Sequence, residues 1–223
     1  SWSPDQMEML PNNVEVIRAF CRNSAKSFSI KGKYLSWMAL PDNWQSWIFG
    51  GVIIGLNSIR KNRPQVIVST YPIASAHLIA YILHKITGIA WVADFRDPMA
   101  QDGYPESVRK RKIFHWIEQQ AVKHCQSIIV TTQGTQKLYQ QRYQSAPSQL
   151  FQLVPNGYDA DVFNSLAASD NKSSKMVILH SGVIYPSERD PTQLFKAISQ
   201  LKRDRIISAQ TIEFRLRATG HDK

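Results

Sequence analysis

Residues 65–99 read QVIVSTYPIASAHLIAYILHKITGIAWVADFRDPM, and this stretch decides the fold because apolar segments of two different periods alternate in it. QVIVST is short and rich in β-branched residues, which predicts a buried strand. The next segment has the apolar spacing of a helix and ends at Gly88, a typical helix stop. IAWVADF is a second strand-like run. A strand, a helix and a strand in this order predict a parallel α/β unit.

The same order continues after residue 99. PESVRKRKIFHWIEQQAVKHC predicts a helix opened by Pro105 and Glu106, SIIVTT a strand, QGTQKLYQQRY a helix, and FQLVP a strand closed by the turn pair Asn156-Gly157. The apolar side of the first of these helices is predicted to consist of Val108, Ile113, Trp116, Ile117 and Ala121. Near-continuous apolar strands are typical of sheets covered on both faces, so we expect a doubly wound parallel sheet.

The N-terminal part of the chain is less regular. NNVEVIRAF, residues 12–20, resembles a strand, and the segment from Trp44 to Ile59 predicts a helix with Trp44 and Trp47 on one face. The unbroken apolar part of that helix is about a dozen residues and is interrupted by glycines, whereas a membrane-spanning helix needs about 20. We therefore expect a helix that rests on protein or on a membrane surface without crossing it.

A polar segment separates two runs of the strand-helix pattern. NSLAASDNKSSK, residues 164–175, has the composition of a linker. MVILHSG, DPTQLFKAISQLKRD and TIEFRLRATG then repeat the order strand, helix, strand, so we place a domain boundary within 164–175. Too few residues follow for a complete second domain of this type, which needs more than about 100. The start at Ser1, without an initiator Met, also predicts a fragment or a processed product.

Charge and cysteine content limit the class of protein. The net charge of +10 in 223 residues predicts an anionic partner, and Arg109 to Lys112 form a local basic run. That run is interpreted as a solvated helix face, with contact to an anionic membrane as the alternative. No nucleic-acid-binding signature is present, and two distant cysteines fit a reducing cytosol. His124 and Cys125 are adjacent and so point in different directions, which argues against a catalytic pair.

Polar residues follow the carboxyl ends of the predicted strands, where open parallel sheets bind their ligands. Asp94 and Asp97 flank Arg96 after the second strand; they could act as a carboxylate pair for a metal or for acid–base work, or one could pair with Arg96. Residues with small or polar side chains at the other strand ends are predicted to line the same cleft: Thr70, Thr132, Gly134, Asn156 and Gly157.

A second possible anion site follows the strand MVILHS. Gly182 would let the backbone approach a diphosphate, and Arg189 could bind it with a forked guanidinium. The alternative is that Gly182 only permits a turn and Arg189 is solvated. The sequence contains no G-x-G-x-x-G, P-loop, H-E-x-x-H or G-x-S-x-G motif, so dinucleotide binding and the corresponding hydrolase chemistries are unsupported.

Four motifs in their order resemble glycosyltransferase family 4 of the GT-B fold. They are DFRDPM, SIIVTTQGTQ, LVPNGYDADVF and HSGVIYPSERDPTQLFKAI, and the resemblance runs from about Asn13 to the end of the chain. It implies two Rossmann-like domains: an acceptor domain over 1–165, lacking its first strand and loop, and the start of a nucleotide-sugar donor domain over 176–223. It also implies a retaining, hexosyltransferase-like enzyme that uses no metal or other cofactor.

The resemblance assigns roles to individual residues. Asp94, Arg96 and Asp97 would be catalytic and lie where the acceptor and the donor sugar meet, while Gly182 and Arg189 would bind the donor diphosphate. The expected partners are a nucleotide-sugar and a glycan or lipid-linked acceptor, with peripheral contact to an anionic membrane and no nucleic acid. The expected location is cytoplasmic, with a peripheral position on the inner membrane face as the alternative, and the expected pathway is cell-envelope polysaccharide biosynthesis.

Three departures from the family pattern bear on activity. The strand ending at Asp94 carries no histidine where many members have one, and Val183 follows Gly182 where a basic residue is common. No pair of glutamates separated by seven residues is present. We therefore expect the 223 residues alone to be inactive. Two other functions stay open: a sugar-nucleotide epimerase, which DFRDP does not suggest, and a non-catalytic GT-B-like module that binds anionic ligands or a membrane surface.

Overall fold

A computed structural model describes residues 10–11, 13–24, 39–158, 160, 174–184 and 190–218. The contacts within the chain divide it into two compact units, Ser1–Gly157 and Tyr158–Lys223. Most of the predicted linker, residues 164–173, lies outside the described residues, so the domain boundary within 164–175 stays a prediction.

The first unit contains four helices and four strands among its described residues, apart from a short 3-10 turn at Ser148–Leu150. Its elements in chain order are α1 Trp47–Asn62, β1 Val66–Thr70, α2 Ala74–Thr87, β2 Ala90–Arg96, α3 Val108–His124, β3 Ser127–Val130, α4 Gln133–Arg142 and β4 Phe151–Leu153. The described part of the second unit consists of β5 Met176–Ser181, α5 Thr192–Arg203 and β6 Ile212–Arg217.

The strands form two parallel sheets, which confirms the predicted α/β fold class. β1 to β4 lie side by side in chain order, and β5 pairs with β6 in a separate sheet. In the first sheet Val66 is opposite Ala90 and Ile128 is opposite Phe151. Since each connection joins neighbouring parallel strands in the same direction, right-handed crossovers place α2, α3 and α4 on one face of this sheet.

The core of the first unit lies between that face and its helices. Trp91, Ala93 and Phe95 on β2 are fully buried, as are Ile128 and Val130 on β3. They pack with residues contributed by the three crossover helices, including Ala74, Ala80, Phe114, Ile117, Ala121 and Tyr139.

Burial alternates along the strands, because the crossover helices cover one face of the sheet. On β1, Val68 is 62% exposed and Val66 is 43% exposed, while Ser69 is buried. Asp94 lies on the less covered face of β2, between the buried side chains of Ala93 and Phe95. The described part of the sheet therefore buries one face well and leaves the other partly open.

Helix α1 packs on α2 through glycines. A Cβ atom added at Gly51 would lie 2.6 Å from Cδ1 of Ile79, and one at Gly55 would lie 2.6 Å from Cδ1 of Leu83. The missing side chains let the two helices approach closely. The helix begins at Trp47, so Trp44 lies in the turn before it rather than on its face as predicted.

None of the described helices combines the length and apolarity needed to cross a bilayer.

The predicted strand at residues 12–20 is wrong. The described residues of this segment form no strand. The chain around Phe20 instead lies against α1, where a Cβ at Gly50 would come within 2.5 Å of the Phe20 carbonyl oxygen. The Ser46 hydroxyl bonds both the amide and the carbonyl of Arg22, at 2.8 and 2.9 Å. The backbone groups of Arg22, just beyond this segment, are thus satisfied by the residue that precedes α1.

The predicted start of the long helix α3 is also corrected. The helix begins at Val108, with Ser107 as its N-cap accepting a hydrogen bond from the Lys110 amide, so Pro105 and Glu106 precede it. Its predicted apolar side is partly wrong, because Val108 is 56% exposed and Trp116 is 45% exposed. The buried side consists of Phe114, Ile117, Glu118 and Ala121.

Candidate active site at the carboxyl edge of the first sheet

The end of β2 is the most irregular part of the first sheet. The pairing with β3 shifts between Asp94 and Arg96, and Arg96 has a left-handed backbone with φ 55°. The Arg96 carbonyl is held by Thr131, whose amide lies 3.3 Å and whose hydroxyl lies 3.0 Å from it. A bulge of this kind re-aims the side chains that follow it. Arg96 and Asp97 are both exposed.

Asp94 is held in place by the neighbouring strand. Thr70 is its partner in register, and the Thr70 hydroxyl donates a 2.8 Å hydrogen bond to Oδ2 of Asp94. The Tyr71 amide donates to the Asp94 carbonyl at 2.9 Å. These two predicted site residues, Thr70 and Asp94, are thus brought together. Within the described residues no ion pair joins Arg96 to Asp94 or to Asp97, so the interpretation of an internal salt link is not supported.

The loop after Asp97 turns back into the protein. Met99 and Ala100 are fully buried, and their amides donate to Oη of Tyr139 at 3.3 Å and to Oε1 of Glu118 at 3.2 Å. A tight turn follows, in which the amide of Gln101 donates to the carbonyl of Tyr104 at 2.8 Å. The loop that follows Arg96 and Asp97 is therefore held on its buried side by hydrogen bonds to Tyr139 and Glu118.

Tyr71 forms the inner wall beside this loop. Its side chain is 8% exposed and meets the ring of Phe114 edge-on, with centroids 6.5 Å apart. Burial raises the pKa of Tyr71 above its usual value; the hydroxyl of Tyr104 and the negative charge of Asp97 raise the pKa further. Tyr71 is therefore a protonated phenol, and its pKa depends in part on the charge of Asp97.

The other predicted lining residues follow β3 and β4. Thr132 is the N-cap of α4, and its hydroxyl oxygen accepts from the Thr135 amide at 3.1 Å, so this turn is a capped helix start. Gly134 lies in the first turn of α4. Asn156 and Gly157 are exposed after β4, outside regular structure. All four lie at the carboxyl edge of the sheet, and the structure shows no direct bond between them and Asp94 among the described residues.

The predicted diphosphate turn belongs to the second unit. Gly182 has φ 141°, a conformation that favours glycine, and its amide donates to the Arg217 carbonyl at 3.0 Å. At the start of α5 the hydroxyl and the amide of Thr192 both donate to Oδ1 of Asp190, the amide at 3.0 Å, and these two hydrogen bonds lower the pKa of Asp190. The amides of Gly182 and Thr192 are thus both occupied. Arg189 lies outside the described residues.

The sequence comparison assigns the family. Residues 11–162 match the sequence profile of Glycosyltransferase Family 4. The chain belongs to glycosyltransferase family 4. No curated protein sequence matches it at a significant level.

Solved structures similar to this family 4 chain come from Anabaena Alr3699/HepE. The complex with UDP superimposes with a TM-score of 0.50 and 13% identity, covering 75% of this chain and 52% of that one. The complex with UDP-glucose gives a TM-score of 0.47 at 12% identity, covering 74% and 51%, and the complex with UDP and glucose gives 0.47 at 13%, covering 75% and 52%. The likeness to the UDP complex supports the GT-B-like fold, and the chain spans about half the length of these structures.

Cysteine nucleophiles and metal ligands are two further kinds of site to look for in this family 4 chain. Burial raises the pKa of the Cys125 thiol, and burial with neighbouring cations lowers the pKa of His124, so this pair offers neither a thiolate nor a cationic partner for one. Both cysteines are free thiols. In the described ranges, no three His, Cys, Asp or Glu side chains lie close enough together to hold a metal ion.

The prediction from sequence missed two polar residues that shape the first unit of this family 4 chain. Glu118 is fully buried beneath the loop, and it could have been noticed as an acid within the apolar stripe of Phe114, Ile117 and Ala121. Asp42 binds the amide and hydroxyl of Ser75 at 2.7 and 2.9 Å, at the start of α2. No local signal reveals that contact, because the two residues lie far apart in sequence.

Proposed function

We propose that the protein acts in the transfer of a sugar from a nucleotide-sugar to a glycan or lipid-linked acceptor, with retention of the anomeric configuration. Membership of glycosyltransferase family 4 supports the reaction class. The acceptor binds the first unit at the carboxyl edge of its sheet, and the donor binds the second unit. The chemistry needs no metal, because fixed protein charges stabilise the transition state.

The observation that carries the proposal is the arrangement at the end of β2. Asp94 is oriented by the Thr70 hydroxyl at 2.8 Å, and the adjoining bulge leaves Arg96 and Asp97 exposed and without an internal ion pair among the described residues. A carboxylate fixed by a neighbour suits the orientation of an acceptor hydroxyl. A guanidinium kept free of its neighbouring acids suits the stabilisation of developing negative charge.

The remaining site residues have supporting roles in the proposal. Thr132, Gly134, Asn156 and Gly157 line the acceptor side of the same edge. In the second unit, the missing side chain at Gly182 lets the diphosphate of the donor approach the backbone, and Arg189 binds it. HepE was crystallised with UDP, so UDP-sugars are the first donors to test.

The test is release of nucleoside diphosphate from a panel of nucleotide-sugars, using the protein expressed from its native gene. Asp94→Asn keeps the size of the side chain and removes its charge, so we expect a fall in kcat of roughly tenfold or more with little change in donor KM. Asp102→Asn is the matched control, since Asp102 is an exposed acid in the turn that follows the same loop. Equal kcat in the two variants would remove Asp94 from the mechanism.

A second candidate function rests on the surface of α3. Arg109 and Lys112 are exposed at its start, and Trp116 is 45% exposed one turn further on. A basic helix face with an exposed tryptophan suits a non-catalytic module on an anionic surface. Vesicles of phosphatidylcholine with and without phosphatidylglycerol would distinguish the candidates. Salt-sensitive binding to the anionic vesicles, with no turnover of any nucleotide-sugar, favours the second.

A further inference from the structure

A buried carboxylate lies directly beneath the loop that carries Arg96 and Asp97. Glu118 on α3 is fully buried, and all four of its nearest hydrogen bonds come from outside its own helix. Its Oε1 accepts from the Tyr139 hydroxyl at 2.8 Å and from the Ala100 amide at 3.2 Å. Its Oε2 accepts from Nη1 of Arg142 at 2.8 Å and from the Tyr143 hydroxyl at 3.0 Å.

The two oxygens of Glu118 face different parts of the unit. Oε2 is bound by the side chains of Arg142 on α4 and of Tyr143 at its C-terminal end. Nδ1 of His115 lies 3.4 Å from the same oxygen. Oε1 serves the loop, directly through the Ala100 amide and indirectly through Tyr139, whose hydroxyl also accepts from the Met99 amide at 3.3 Å. Glu118 therefore links α3, α4 and the loop through one group.

The surroundings explain how a charge can remain buried there. Removing a carboxylate from water is costly unless it is paired and fully hydrogen-bonded. Arg142 supplies the opposite charge, and its own side chain is 23% exposed. Burial, and then the charge of Glu118, raise the pKa values of Tyr139 and Tyr143, so both phenols remain donors. The carboxylate accepts four hydrogen bonds, from the loop and from α4 and its C-terminal end, so its position is well defined.

We propose that Glu118 is a positioning residue, which fixes the backbone of residues 97–100 and thereby the directions of Arg96 and Asp97. The claim rests on the proposed function, because Arg96 and Asp97 matter only if that edge of the sheet carries the chemistry. If Glu118 only stabilised the first unit, its substitution would destabilise the loop no more than the rest of that unit. A positioning residue must affect the loop more than it affects global stability.

Tyr139→Phe and Tyr143→Phe form a matched pair for this test. Each removes one phenol that donates to Glu118, and each keeps the aromatic ring in the core. Only the Tyr139 hydroxyl also binds the loop, at the Met99 amide. Hydrogen–deuterium exchange of the Met99 and Ala100 amides measures the loop, and urea unfolding measures the stability of the unit.

We expect exchange at Met99 and Ala100 to rise roughly three- to tenfold more in Tyr139→Phe than in Tyr143→Phe, the factor of one net hydrogen bond. Glu118→Gln should raise the exchange of Ala100, whose amide donates to Glu118 itself, and unchanged exchange at Ala100 in this variant would also overturn the proposal. Equal loop exchange in the two tyrosine variants, or a rise that follows global stability across the whole unit, would overturn the proposal.

The second measurement is steady-state kinetics, made on the protein once sugar transfer has been detected. Tyr139→Phe should lower kcat several-fold at unchanged KM for the nucleotide-sugar, since the donor binds elsewhere. A rise in donor KM at constant kcat would contradict the positioning role. If no nucleotide-sugar is turned over by the unaltered protein, the proposed function fails, while the exchange experiment still decides whether Glu118 fixes the loop.

Discussion

The two parallel sheets are built from similar strand sequences and differ in what covers them. In β2 the side chains of Trp91, Ala93 and Phe95 are fully buried. In β5, which is at least as apolar, Met176 is 66% exposed and Leu179 is 53% exposed. Four strands with three crossover helices bury one face of the first sheet, whereas the described second sheet has two strands. An apolar run therefore predicts a strand, and its neighbours determine whether it is buried.

The largest expected contrast is between truncations to alanine in the two sheets. Trp91→Ala empties a fully buried site and removes the 2.8 Å hydrogen bond from its indole to Ser69, so the first unit should lose about 3–5 kcal/mol. Ile178→Ala, at a side chain already 39% exposed, should cost the second unit less than about 1.5 kcal/mol. Urea unfolding followed by amide exchange in each unit gives both values, and comparable losses would contradict the burial argument.

The stability of the first unit should depend on pH through His77. His77 is buried, with Nδ1 2.7 Å from the Ser69 hydroxyl, and burial lowers its pKa to about 3 from an ordinary value near 6.5. Between these pH values the unfolded chain binds a proton that the folded unit does not. Stability from this group is therefore complete above pH 6.5 and is lost on acidification, by about 1.4 kcal/mol per pH unit.

The measurement is unfolding free energy at pH 7 and pH 5 in the unaltered protein and in His77→Asn. Other groups contribute to both slopes, so the difference between the slopes isolates His77. We expect the unaltered protein to lose more stability over this interval, by up to about 2 kcal/mol. Parallel slopes would show that His77 titrates normally in the folded unit.

Helix starts provide a third contrast. Helix α2 has no cap from its own preceding residue, and Asp42 supplies one from a distant segment while 9% exposed. Asp42→Ala leaves the Ser75 amide and hydroxyl buried without that partner and should cost about 1–3 kcal/mol. The Asp190 cap of α5 is fully exposed, so Asp190→Ala should have a much smaller effect on the second unit. Equal shifts in urea midpoint would contradict this difference.

The order of strands and helices could be predicted because period, β-branching and stops such as Gly88 are local properties of the sequence. Likewise, the adjacency of Thr70 and Asp94 follows from neighbouring parallel strands ending at the same edge.

The shape of the site could not be predicted in the same way. Arg96 adopts φ 55° because Thr131 holds its carbonyl, and no residue type at that position announces a left-handed backbone. Glu118 is buried because donors from α4 and the loop converge on it, which depends on tertiary structure. Residues 12–20 have strand composition, yet the described residues of this segment form no strand, and Phe20 lies against Gly50 of α1.

The smallest expected contrast concerns how the helices end. Helix α2 ends at Gly88, with φ 72° and open space where a Cβ would lie, whereas after α5 the left-handed position at φ 56° is occupied by Arg205. A side chain in this conformation costs about 1 kcal/mol relative to glycine. Gly88→Ala should therefore destabilise the first unit by about that amount through backbone strain alone, and Arg205→Gly should stabilise the second unit by a similar amount, less the entropy that glycine adds to the unfolded chain. Thermal unfolding of each variant measures both signs. A Gly88→Ala variant as stable as the unaltered protein would mean that the helix end relaxes out of the left-handed conformation, and a destabilised Arg205→Gly variant would mean that the unfolded-state entropy outweighs the strain.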